Sequence, residues 1–170
     1  MDREQFDQYV EQYGARVSAL AWSLCRSRAD AEDLYQETWM KAMRHFDRYC
    51  PEKPFDKWIA AICVNTYKNT FRAFQRSRQM QFRSNEEKDY FLESLFEGRE
   101  DRDTLIALRQ AIEALAVKYQ ILIKLKYYLD YPDEDIPALV GVPVGTVKWR
   151  LHKAKELIAR RMGDETEYGL

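Results

Sequence analysis

Lys68, Arg72 and Arg76 stand at i, i+4 and i+8, so on a helix they share one ridge. Like charges stacked this way repel, and a phosphate backbone would offset that repulsion. Asn65, on the same ridge, has the donor and acceptor needed to hydrogen-bond a base edge. A second basic block runs from Thr146 to Arg161, with six bases against Glu156 alone. This is chemistry of non-covalent recognition, and nothing beside it suggests catalysis. His45 and His152 lie in different modules, and there is no phosphate-cradling or dinucleotide-binding glycine pattern. His45, Cys50 and Cys63 carry zinc-type donors, but their spacing fits no common site, and Cys25 is the only further thiol. Neither metal nor cofactor is expected. The three cysteines read as reduced, partly buried thiols.

The elements that must position these residues are helices. Glycine and proline are few, six and five in 170 residues, and apolar residues recur at helical spacing, which predicts an all-α fold. Helices are expected at about 3–26, 30–47, 55–82, 103–116, 118–129, 133–141 and 144–162. Asp30 is expected to open the second, with Glu32 and Asp33 in its first turn. Cys50-Pro-Glu-Lys-Pro54 breaks the pattern, because two prolines in five residues cannot continue a helix. In the third helix Ile59, Cys63, Thr66, Thr70 and Phe74 project as an inward stripe. Lys57, Val64, Asn65, Lys68, Arg72, Gln75 and Arg76 project roughly opposite.

Near the C-terminus, Gly141 suits the left-handed conformation that ends a helix. Pro143 then starts the next one, where its missing N–H is harmless. Two helices joined by a short glycine turn make a helix-turn-helix. Val147, Leu151, Ala154 and Ile158 form the core stripe of the second helix. Gly145, Trp149, His152, Lys153 and Glu156 fall on the other side, with Thr146 and Lys148 at its edges. Trp149 therefore faces a partner or solvent, and Lys148, Arg150 and Lys153 come within reach of phosphates. Pro137 sits badly inside 133–141 unless Asp135 caps a shortened helix that takes Pro137 in its first turn.

The net charge of −1 hides a segregation. Lys57 to Asn85 holds six bases and no acid, and Glu86 to Asp103 holds eight acids against three bases. Two helical modules, 1–83 and 103–170, are thus joined by an acidic connector, 84–102, which lacks a sustained apolar stripe and is expected to be mobile, with a short packed helix around Tyr90-Phe91-Leu92 and Leu95-Phe96 as the alternative. No apolar run approaches the roughly 20 residues of a membrane span. The charged N-terminus has no signal-peptide core, so a cytoplasmic protein without direct membrane insertion is expected.

Four stretches together resemble one family. Gly141-Val-Pro-Val-Gly-Thr-Val-Lys-Trp-Arg-Leu-His-Lys-Ala-Lys155 is similar to region 4 of the extracytoplasmic-function (ECF) RNA polymerase sigma factors of the sigma-70 family. Leu115 to Tyr128 resembles the helices that support that motif. Ala31-Glu-Asp-Leu-Tyr-Gln-Glu-Thr-Trp39 resembles region 2.2, and Phe55 to Arg72 resembles regions 2.3 and 2.4.

The resemblance implies an alternative sigma factor rather than an enzyme. It would bind core polymerase at the β′ clamp helices and β flap, recognise the −35 and −10 elements of promoter DNA and promote its opening. Control by an anti-sigma factor is also implied. Asp33, Gln36, Glu37, Met40 and Lys41 would face polymerase. Lys57, Trp58, Asn65, Lys68, Arg72 and Arg76 would serve the −10 element, with the loop His45–Pro54 helping to hold a flipped base. Gly145, Thr146, Lys148, Trp149, Arg150, His152 and Lys153 would serve the −35 element. Trp149 stands where the family usually has serine, and Pro137 where it has an ordinary helix former. A stand-alone helix-turn-helix regulator, or a sigma-like sequestering protein, is the competing reading. A stand-alone regulator would leave Ala31–Trp39 without a purpose.

Overall fold

The computed structural model describes residues 3–77 and 102–167, all in helices and their connections. In chain order these are α1 Arg3–Leu24, α2 Arg28–Arg44, a 3-10 turn Phe46–Arg48, α3 Phe55–Ser77, α4 Arg102–Glu113, α5 Val117–Ile123, a π turn Lys124–Tyr128, α6 Ile136–Val140 and α7 Val144–Glu167. The connector expected to be mobile lies outside the described residues, apart from Arg102, which opens α4. The described helices divide into two compact units, one built on α1–α3 and the other on α4, α5, the π turn and α7.

Asp30 does not open α2. Ser27 caps it: the Ser27 hydroxyl accepts the Asp30 N–H at 3.1 Å and donates to the Asp30 carboxylate at 2.7 Å. Asp30 thus sits in the first turn, where the helix dipole favours its charge. α2 ends at Arg44, and Phe46 and Tyr49 turn inward from the short 3-10 segment. They enter a core of aromatic rings with Phe6, Trp39 and Phe55. Phe6 meets Trp39 and Phe46 edge-on, with ring centroids 5.8 and 5.1 Å away, and Tyr9 stacks flat on Phe55 at 4.1 Å. Edge-on and offset pairs add about 0.5–1.5 kcal/mol each to the burial.

α3 departs from its projection at two positions. Val64 is fully buried rather than outward, and Thr70 is exposed rather than inward. α3 packs against both α1 and α2, so its covered arc widens to take in Ala60, Val64 and Tyr67 beside Ile59, Cys63 and Thr66. A single 100°-wide stripe assumes one neighbour.

In the second unit Ala111, Ile112, Leu115, Ile121, Leu122 and Leu125 are buried, as are Val147, Leu151 and Ala154 of α7. The side-chain amide of Gln120 donates to the carbonyls of Glu113 and Leu115, at 2.9 and 2.8 Å, and ties the α4–α5 corner. Beyond Ile123 the expected α-helix widens: Leu129 N–H bonds the Lys124 carbonyl, five residues back, at 3.1 Å. Such π turns are rare, and many sit at functional sites.

The expected helix 133–141 shrinks to α6, with a turn over 133–135. Asp135 holds its N-cap position and Pro137 falls in its first turn, where no hydrogen bond is lost. Gly141 follows with φ +69°, and the Val142 N–H reaches back to the Pro137 carbonyl at 3.2 Å. That six-to-one bond closes the helix as a Schellman turn. The Pro143 carbonyl accepts from Val147 N–H at 3.1 Å, so Pro143 itself caps α7.

Candidate nucleic-acid interface

α2 offers a polar face and a buried one. Ala31, Leu34, Thr38, Trp39 and Ala42 are buried, while Asp33, Gln36 and Met40 are exposed. Glu37 and Lys41 are half-buried and paired with each other at 3.4 Å, one turn apart. Lys41 also donates to the Thr66 hydroxyl at 3.4 Å. Met43, 59 % exposed, continues this face beyond Met40. It was legible in the spacing 36, 40, 43, which is one helical side, but an apolar residue next to the basic Arg44 does not attract notice.

On α3, Lys57 and Asn65 are exposed and Lys68 is half-buried. Arg72 and Arg76 follow Lys68 on the helix register one and two turns on, with side chains outside those described. Trp58 is half-buried, its ring against Phe46, Tyr49 and Phe55. The loop before α3 is held from within: Tyr49 donates its hydroxyl to the Lys53 carbonyl at 2.6 Å, and the Lys53 N–H bonds the Cys50 carbonyl. Burial pushes the Tyr49 phenol up to about 12, so it stays a donor at any physiological pH. His45, Asp47, Arg48 and Cys50 to Pro54 remain at the surface. Cys50 is thus not partly buried, whereas Cys25 and Cys63 are buried, and all three are free thiols. Burial lifts the Cys63 thiol to about 12, which keeps it inert. Among the described residues no cluster of histidine, cysteine or carboxylate has the form of a metal site.

On α7, Trp149 is 58 % exposed, on the side away from Val147, Leu151 and Ala154. Gly145, Lys148 and His152 are exposed, and Thr146, Arg150 and Lys153 are half-buried. Lys153 is drawn to Glu156 at 3.1 Å, and Arg160 takes the same carboxylate at 3.0 Å. The hydrogen bond from Lys153 holds the Glu156 carboxyl below its usual range. A Cβ at Gly145 would meet nothing within 4 Å, so the start of α7 is open to a close approach.

Two family models match this chain. Residues 9–77 match sigma-70 region 2, and residues 105–158 match sigma-70 region 4. The chain is an ECF-type factor of the sigma-70 family. The matched segments cover α1 from Tyr9 through α3, and α4 through most of α7. Among its relatives are the ECF RNA polymerase sigma factor SigW of Bacillus subtilis, 25 % identical over 96 % of this chain and 91 % of that one. The ECF RNA polymerase sigma-E factor of Salmonella typhimurium is 29 % identical over 95 % and 88 %.

Its fold is also that of two solved structures. One is RpoE in complex with the anti-sigma factor NepR, from Bartonella quintana, with a TM-score of 0.67 at 21 % identity over 94 % of this chain and 98 % of that one. The other is CnrH in complex with the cytosolic domain of CnrY, with a TM-score of 0.66 at 20 % identity over 96 % and 90 %. As a sigma factor, the chain works with core RNA polymerase on promoter DNA. No described helix is long and apolar enough to cross a membrane.

Proposed function

We propose that this sigma factor docks on core polymerase through the exposed face of α2, and reads the −10 element through α3 and the loop before it. The −35 element is read through α7, and opening of the DNA follows. Asp33, Gln36, Glu37, Met40 and Lys41 form the docking face, with Met43 added to it. Lys57, Trp58, Asn65, Lys68, Arg72 and Arg76 form the −10 surface. Gly145, Thr146, Lys148, Trp149, Arg150, His152 and Lys153 form the −35 surface. The factor has no catalysis of its own and works in the cytoplasm, where polymerase is.

The observation that carries the reading is the exposed face of α2 with two apolar side chains on it, Met40 and, towards its C-terminal end, Met43. It occurs in the same chain as a helix-turn-helix whose second helix is basic and open. A stand-alone regulator has no use for the first of these. One solved protein of the same fold, RpoE, is held by the anti-sigma factor NepR. Trp149 and Met43, exposed in the free chain, are apolar surface that a partner would cover. Control by an anti-sigma factor is therefore part of the proposal, and one anchored in the membrane would hold the factor there.

Reconstituted transcription from a genomic promoter library, with core polymerase and this chain, is the deciding experiment. Specific start sites are expected with the wild type. Asp33→Lys with Glu37→Lys is expected to lose them together with polymerase binding, while keeping the fold. Binding to DNA without any initiation would favour a sequestering or repressing protein instead.

A further inference from the structure

A cleft of about 210 Å³ opens between the π turn and the first three turns of α7. Its floor includes Val147 and Leu151, and its walls carry Lys126, Lys148 and Lys155. The one carboxylate there, Asp133, is already held by Lys126 at 2.9 Å. No carboxylate among the described residues pairs with Lys148 or Lys155. Tyr127, 44 % exposed, lies beside the cleft with two ammonium groups over its ring, Lys126 at 5.8 Å and Lys155 at 5.3 Å. Asp133 balances Lys126, and the Tyr127 ring attracts both ammonium groups, but Lys148 and Lys155 leave the cleft with a net positive charge that a bound anion would offset.

We infer that this cleft seats the phosphate backbone of one DNA strand beside the −35 major groove. Lys126, Tyr127 and Lys155 then join the DNA contact surface. The inference rests on the reading of α7 as the −35 helix. A helix about 10–12 Å across fills a major groove about 12 Å wide, so its flanks must run against the sugar-phosphate walls. Lys148 and Lys155, seven residues apart, share one flank roughly a third of a turn from Trp149. They are separated by about 10 Å along the axis, which reaches different phosphates of one strand. The π turn brings Lys126 to that same wall, and His152 lines the cleft as well as the −35 face, so the two surfaces are continuous. This continuity favours DNA over an acidic protein as the occupant.

The test is binding of the reconstituted holoenzyme to a promoter duplex selected by transcription. Single phosphates around the −35 element are replaced one at a time by neutral methylphosphonates. Lys126→Ala with Lys155→Ala is expected to lower the salt slope of binding by roughly two units. It should also make binding indifferent to one or two methylphosphonates on one strand that weaken the wild type. Lys155→Ala alone leaves the Lys126–Asp133 pair intact and should lose one unit. A slope and phosphate profile unchanged from wild type in both variants would overturn the inference. If the double variant then lost an acidic protein partner, the cleft would be assigned to protein. Wild-type holoenzyme insensitive to every phosphate around the −35 element would sink the reading of α7 itself, and the cleft with it.

Discussion

Lys124 is 2 % exposed and bonds the Glu113 carboxylate at 3.0 Å, with that side chain 20 % exposed. Two charges so placed hold each other in a dry site, and removing one strands the other. Lys124→Ala is expected to cost about 3–5 kcal/mol of stability. Lys124→Met with Glu113→Leu should recover most of that, since a well-packed apolar pair is often no worse. Denaturant midpoints of the three proteins check this, and equal midpoints for wild type and Lys124→Ala would deny the pair its role. Tyr128 belongs to the same site: burial, reinforced by the Glu113 carboxylate, pushes its phenol up to about 12. At the surface, Trp149 poses the opposite question. Being 58 % exposed, it contributes little to the core, so Trp149→Ser should leave the melting temperature within a degree or two. The same variant should shift the selected −35 sequence away from steps rich in thymine methyls. A strongly lowered melting temperature with an unchanged promoter preference would place the indole in the core.

Among the elements, the turn between α6 and α7 decides how α7, the −35 helix of the proposed function, begins. Gly141 holds φ +69°, and a Cβ there would meet nothing within 4 Å, so a side chain at this position is strained by backbone alone. Gly141→Ala is expected to cost about 1–2 kcal/mol. Gly145, inside α7 and equally open, should gain up to about 1 kcal/mol as alanine. Opposite signs at two glycines four residues apart, read by chemical denaturation, separate conformation from crowding. A loss at both would mean that space, not φ, is limiting. α2 shows the complementary case, in which a serine three residues before the expected cap takes the role. Ser27 and Asp30 satisfy each other, and a sequence reading that favours the residue beside the first acids chooses the wrong one.

For the molecule as a whole, an overall charge of −1 conceals two basic stretches of sequence. Lys57 to Asn85 and Thr146 to Arg161 serve separate promoter elements in the proposed function, so their contributions to salt dependence should add. Removing Lys68, Arg72 and Arg76 together is expected to lower the salt slope of open-complex formation by about three units. It should leave binding to a duplex carrying only the −35 element as salt-sensitive as before. Open-complex yield against salt, for the two DNAs, is the measurement. Identical slopes for wild type and variant on the full promoter would exclude the α3 ridge as a phosphate contact.

Periodicity by itself determined that this chain is helical, and the motifs at Ala31–Trp39, Phe55–Arg72 and Gly141–Lys155 determined its family. Such signals are local: a 3.6-residue repeat, a glycine at a turn and a proline at a cap act within one or two turns of chain. The exposure of Trp149 followed from the same arithmetic, because α7 turns a single stripe inward. The tertiary structure decided what depends on neighbours distant in sequence. Val64 is buried because two helices cover α3. Cys50 is exposed because Phe46 and Tyr49, either side of a short turn, take the inward places. The cleft of Lys126, Lys148 and Lys155 exists because a π turn widens the helix before it and brings residues some 20–30 positions apart to one wall. No spacing rule for a single helix reports a meeting of two.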